Sequence, residues 1–150
     1  MGYCSTQKGP WGLILAGVAA LVILTACLLR DKPIACFVLM AAAAPVVALG
    51  FCFKTLTVRD EGDRLGIRFG PLPLFRKTIP YAAIRSVETG RSSLVDGWGI
   101  HYILWRGWTY NIWGYACVVL DVDGTTYRIG VPDPKALAEF LAGRKAPGRA

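Results

Sequence analysis

Two patterns divide the chain. From residue 11 to residue 53 it is apolar with one interruption: a first run covers 11–29, a second covers 34–53, and Arg30-Asp31-Lys32-Pro33 separates them. A bilayer hydrocarbon core about 30 Å thick takes roughly 20 apolar residues of helix to cross, and each run is about that long. Neither run contains a charge, which at mid-span costs about 2.5 to 3.5 kcal/mol on translocon scales. The pattern predicts a transmembrane helical hairpin over 11–53, with helices at 11–29 and 34–53. Pro33 falls at the start of the second helix, where a missing N–H is tolerated. Pro45 falls mid-span and predicts a kink unless neighbours satisfy the freed carbonyl. Small residues, including Ala41 to Ala44, predict close packing of the two helices.

From Lys54 the hydrophobic period becomes two. Leu56 and Val58 share one face of a strand, and Leu65, Ile67 and Phe69 share one face of the next, with Arg64 and Arg68 on the other. Asp60-Glu61-Gly62-Asp63 reads as the turn between them. Gly70-Pro71-Leu72-Pro73 breaks the second strand, because proline cannot donate to a ladder. Extended segments at 75–79 and 85–89 flank a short bend at 80–84. The segment 98–115 is rich in Trp and Tyr with interleaved glycines, including Gly97 just before it. It reads as sheet packing or as a surface lying on lipid headgroups. An apolar strand over 115–122 meets Asp123-Gly124, a signal for a two-residue type I′ turn, and 125–131 returns. Asp133 as N-cap and Pro134 at N1 open an amphipathic helix with Leu137, Phe140 and Leu141 inward, ended by Gly143. The expected organisation is a short amino-terminal tail (1–10), the hairpin, one domain over 54–143, and a disordered basic tail (144–150).

Charge adds orientation. The net charge is +7, and from Lys54 onward 14 Lys/Arg face 9 Asp/Glu. Lys8, Lys54, Arg59, Arg64 and Arg68 lie near the two ends of the hairpin, against Arg30 and Lys32 in its turn. The positive-inside rule then expects both termini to be cytoplasmic, in an inner or cytoplasmic membrane. A basic excess suits an anionic membrane face. Without a basic stripe and a reading helix, no nucleic-acid partner is expected.

Chemistry is sparse. Of five cysteines, Cys27, Cys36 and Cys52 lie in the apolar runs as small hydrophobes, and Cys117 is the lone thiol after residue 54. Gly2, Cys4 and Thr6 match a loose acylation pattern, and Leu24-Thr25-Ala26-Cys27 resembles a lipoprotein cleavage site; an ordinary amino terminus and an ordinary helix explain both. The one histidine, His101, has no nucleophile at a motif spacing, the acidic residues read as turn and cap residues, and no phosphate or metal motif occurs. No enzyme, metal or cofactor is expected. The spans lack the ionisable groups of a transporter.

The segments around Thr57-Val58, Phe69-Gly70-Pro71 and Lys77-Thr78-Ile79-Pro80-Tyr81-Ala82-Ala83-Ile84-Arg85-Ser86-Val87 resemble bacterial pleckstrin-homology-like (PH-like) domains. So do Gly97-Trp98-Gly99-Ile100, Asp123-Gly124, Ile129-Gly130, Asp133-Pro134 and Leu137. The resemblance implies a mainly β PH-like barrel capped by one C-terminal helix, and a membrane-anchored interaction module that binds a protein partner or self-associates. The alternative it implies is recognition of anionic lipid headgroups. Arg64, Arg68, Arg76 and Lys77, in a region resembling the phosphoinositide corner of PH domains, are the candidate lipid- or partner-binding residues.

Overall fold

A computed structural model describes residues 2–72, 74–93 and 98–144. The expected basic tail beyond Arg144 and Gly97 of the aromatic segment lie outside the described residues. The elements in chain order are β1 (Cys4–Lys8), α1 (Trp11–Leu28), α2 (Pro33–Cys52), β2 (Thr55–Asp60), β3 (Arg64–Gly70) and β4 (Arg76–Pro80). A 3-10 turn (Tyr81–Ala83) leads into β5 (Ile84–Arg91), β6 (Gly99–Ile103), β7 (Gly107–Asn111), β8 (Ala116–Val122), β9 (Thr125–Gly130) and α3 (Pro134–Arg144).

Both apolar runs are helices long and apolar enough to cross a membrane, and only 11% of each is buried within the chain. A core helix of a soluble protein would be mostly covered, whereas Leu13, Leu28, Ile34 and Phe37 are all more than 70% exposed. Their contact is built from small groups: Ala19, Ala26, Ala43 and Gly50 are buried. A Cβ on Gly12 would sit 3.4 Å from the Gly50 carbonyl oxygen, so the backbones approach closely. Helix α2 runs unbroken through Pro45.

The amino-terminal residues depart from the expected tail. Residues 4–8 form β1, antiparallel to β2 with Cys4 opposite Arg59 and Lys8 opposite Thr55. The hairpin is therefore an insertion between two neighbouring strands of one sheet. At its base the Gly9 N–H donates to the Lys54 carbonyl at 3.3 Å, which holds the entry to α1 beside the exit from α2.

Two sheets follow rather than the expected barrel. One has the order β1-β2-β3-β4, the other β5-β8-β9-β7-β6. No ladder joins them among the described residues. The second sheet contains a parallel β7–β9 pair, Trp108 opposite Tyr127, because the aromatic segment folds as the hairpin β6–β7 and docks against β9. Alternation along β2 and β3 puts Leu56, Val58, Leu65, Ile67 and Phe69 between the sheets. Val118, Leu120, Ile129 and Ile112 meet them from the other side, and Leu137 and Leu141 of α3 complete the core.

Asp123 (φ 50°) and Gly124 (φ 82°) form the expected tight turn. Asp133 caps α3, its Oδ1 accepting from the Ala136 N–H at 3.1 Å. The helix does not stop at Gly143 but includes it and reaches Arg144. The Arg144 guanidinium is held by Asp60 at 2.8 Å and by the Gly62 carbonyl, which extends the last turn.

Candidate functional site

Strand register sorts the candidate basic residues. Arg68 pairs with Arg76, Thr57 with Arg68, and Thr6 with Thr57, and residues opposite one another share a face. The outer face of the first sheet therefore carries Thr6, Thr57, Arg68 and Arg76 in one row. Lys8, Arg59, Arg64 and Thr78 extend it by alternation. Arg64, Arg68, Arg76 and Lys77, with Glu61, Gly66, Ile67 and Thr78, line a shallow groove of about 420 Å³. Lys77 is opposite Ile67 and so faces inward; its ammonium lies 5.6 Å from the centre of the Tyr127 ring on the second sheet. Lys77 thus borders the groove along β4 while its ammonium turns away from the three arginines towards Tyr127.

The arginines differ in how far they are neutralised. Arg64 donates from Nε and Nη2 to the two carboxylate oxygens of Asp63 at 2.8 and 2.9 Å. This hydrogen bond holds the Asp63 carboxyl below the ordinary carboxylate range. Glu61 takes both Arg59 (2.9 Å) and Arg68 (3.6 Å). Its carboxylate lies over Gly66, where a Cβ would come within 2.6 Å of it. Arg76 is exposed and makes no ion pair among the described residues. Arg64 is four residues from Arg68, about 13 Å along the strand, at the end remote from the hairpin. Arg68 and Arg76 lie nearer the hairpin, since Thr55 opposite Gly70 marks its base.

The junction of hairpin and domain is aromatic. Trp98 stacks on Trp113 with ring centres 4.8 Å apart and packs on Trp11 at 5.9 Å. Phe53, the first residue after α2, packs on Phe69 and Phe75 at 5.3 and 5.2 Å. Leu72 and Leu74, in the connection after β3, are exposed at the same end. Gln7 ties the two sheets together here: its Nε2 donates to the Trp113 carbonyl, and its Oε1 accepts from the Ile112 N–H. The buried Asn111 sets this loop, its Nδ2 donating to the Gly114 carbonyl at 2.8 Å and to Ser92 Oγ at 3.3 Å. The aromatic segment thus divides between packing and surface. Tyr110 and Trp108 pack towards Tyr127, while Trp105 is 83% exposed at the tip of β6–β7.

The other residues singled out in the sequence have ordinary places. His101 is exposed on β6 near the aromatic junction. Gly2 lies beside Asp60, and Cys4 is opposite Arg59, both remote from the hairpin; an acyl chain there would start about 13 Å beyond Lys8. Cleavage before Cys27 would remove β1 together with most of α1. No group of three His, Cys, Asp or Glu able to hold a metal occurs among the described residues. The role of residues 4–8 was missed because a short polar strand carries no period-two hydrophobic signal. Only the alternation of Ser5 and Gln7 with Cys4, Thr6 and Lys8 hints at it.

Compared with known protein families, curated proteins and solved structures, the chain matches none.

Proposed function

We propose that the protein is a membrane-anchored, PH-like interaction module that presents its arginine-bearing sheet face to an acidic segment of a protein partner, or of a second copy, at the cytoplasmic face of a bacterial membrane. The observation that carries this reading is the insertion of the apolar hairpin between β1 and β2. A flexible linker would let the domain tumble, whereas two adjacent strands continuing into two helices fix its orientation. The face carrying Arg64, Arg68 and Arg76 then stands at a set angle to the bilayer. The order of strands and the single closing helix support a PH-like origin, with the β6–β7 hairpin as an addition. The charge difference across the hairpin supports the cytoplasmic orientation. Reporter fusions after Ala150 and within residues 30–33 test it.

The partner reading is tested with the full-length protein in mild detergent. Cross-linking is expected to trap a partner or a dimer, and replacement of Arg64, Arg68 and Arg76 by Glu to abolish the product while the protein still melts cooperatively. Unchanged cross-linking would overturn the placement. Headgroup recognition is favoured by one observation, the exposed Arg76 without an acidic partner near the hairpin. If it holds, the same variant loses a preference for anionic over neutral nanodiscs and no protein is trapped.

A further inference from the structure

On the side of the hairpin bearing Lys8 and Lys54, the two helices leave an apolar groove of about 560 Å³. Gly12, Ala16, Ala19, Ala20 and Gly50 line it, with Ile23 and Val47 towards its inner end. From Gly12 to Ile23 the groove runs 11 residues of helix, about 16 Å at 1.5 Å per residue. One leaflet of a bilayer core is about 15 Å deep, so the groove begins at the headgroups and ends near the mid-plane. Its mouth is lined by Lys8 and Lys54. Both are exposed and neither makes an ion pair among the described residues. The Lys54 stem packs on Gly12, with its Cγ 3.4 Å from where a Cβ would lie, and the ammonium is left at the headgroup level. No acidic residue lines the groove.

We infer that this groove is a binding site for one anionic phospholipid of the leaflet next to the domain, with an acyl chain along Gly12–Ala16–Ala20 and the phosphate between Lys8 and Lys54. An apolar groove opening sideways into a bilayer has no stable water filling, and hydrocarbon is the filler at hand. Two unpaired ammonium groups at its polar end select a negative headgroup. A second copy of the hairpin fits less well. Both copies would share one orientation, and a twofold-symmetric contact through this groove would bring two Lys8 and two Lys54 to the same depth. The site is separate from the arginine face and depends only on the hairpin lying in a bilayer.

The test uses full-length protein, delipidated in detergent and titrated with phosphatidylglycerol and with phosphatidylcholine of identical chains. Bound lipid is counted by native mass spectrometry. One phosphatidylglycerol per chain is expected, held about thirtyfold more tightly than phosphatidylcholine, the order of effect two lysines exert near an anionic charge. Lys8→Ala with Lys54→Ala is expected to bring the ratio near one. Ala20→Leu, at an exposed position lining the groove, is expected to weaken both lipids about equally. The Arg64, Arg68, Arg76 variant is expected to keep the preference, which separates this site from the sheet face. Equal affinity for the two lipids in the wild type, or a preference that survives the lysine replacements, would overturn the inference. So would a dimer that Ala20→Leu dissociates with no lipid bound.

Discussion

Gly107 opens β7 at φ +82°, and a Cβ there would lie 2.1 Å from the Thr126 carbonyl oxygen. Neither cause of intolerance can be relieved by a rotamer change, because the obstacle is backbone on β9. Gly107→Ala combines a left-handed non-glycine residue with overpacking, costs of about 1–2 and 1–3 kcal/mol. It is therefore expected to destabilise the domain by about 2 to 5 kcal/mol, read as a lowered midpoint in denaturant. Gly66 is the contrasting case. Its missing Cβ makes room for the Glu61 carboxylate, the flexible end of a side chain, so Gly66→Ala displaces an ion pair rather than a strand. Sequence alone marks both glycines as breaks in strand propensity. Which one stands against a carbonyl and which against a movable side chain is a property of the neighbouring strand.

At the level of elements, α3 is fastened at both ends. Asp133 caps its start; at its end Asp60 accepts from Tyr81 Oη at 2.8 Å and from the Gly62 N–H at 2.9 Å, and pairs with Arg144. These contacts, the Tyr81 hydrogen bond first, hold the Asp60 carboxyl below its ordinary value. Burial, with the hydrogen bond to Asp60 second, pushes the Tyr81 hydroxyl up. A carboxyl lowered on folding contributes stability above the unfolded value of about 3.9. That stability is lost as pH falls through the lower folded value. The melting temperature is thus expected to hold from pH 7 to about 5 and to drop below about 4. Asp60→Asn is expected to melt lower at neutral pH and to lose part of the acid-dependent drop. An equally steep drop in the variant would show that another carboxyl is responsible. Arg144 explains why α3 passes Gly143: a glycine in the last turn is a weak stop when the next side chain has a partner on another element.

At the level of the whole molecule, the domain is discontinuous in sequence. Residues 4–8 and the three strands that follow residue 54 form one sheet with the apolar hairpin emerging between them. A chain beginning at Lys54 leaves β2 as an unprotected edge. Joining Gly9 to Lys54 through a two- to four-residue turn restores the β1–β2 pair, since their backbones already meet at 3.3 Å. The joined form is expected to melt at least about 5 °C above the form starting at Lys54, which corresponds to about 1 kcal/mol for a domain of this size. Equal melting would show that β1 adds nothing to stability. The same join would also remove the lipid groove while leaving the arginine face.

The apolar runs, the period-two strands, the Asp123-Gly124 turn and the Asp133 cap were legible in the sequence. Each is a local property: helix length against bilayer thickness, alternation against a half-buried sheet, a side-chain oxygen against a free N–H. The four candidate basic residues were legible as charges but not as a constellation. Alternation puts Arg64, Arg68 and Arg76 on the outer face, while register turns Lys77 inward to Tyr127. The pairing of residues 4–8 with β2 across the hairpin, the parallel β7–β9 contact and the meeting of Lys8 with Lys54 at one groove were decided by tertiary structure. They depend on which strand edge lies free when the chain returns, and that is settled by long-range packing rather than by any residue's own preference.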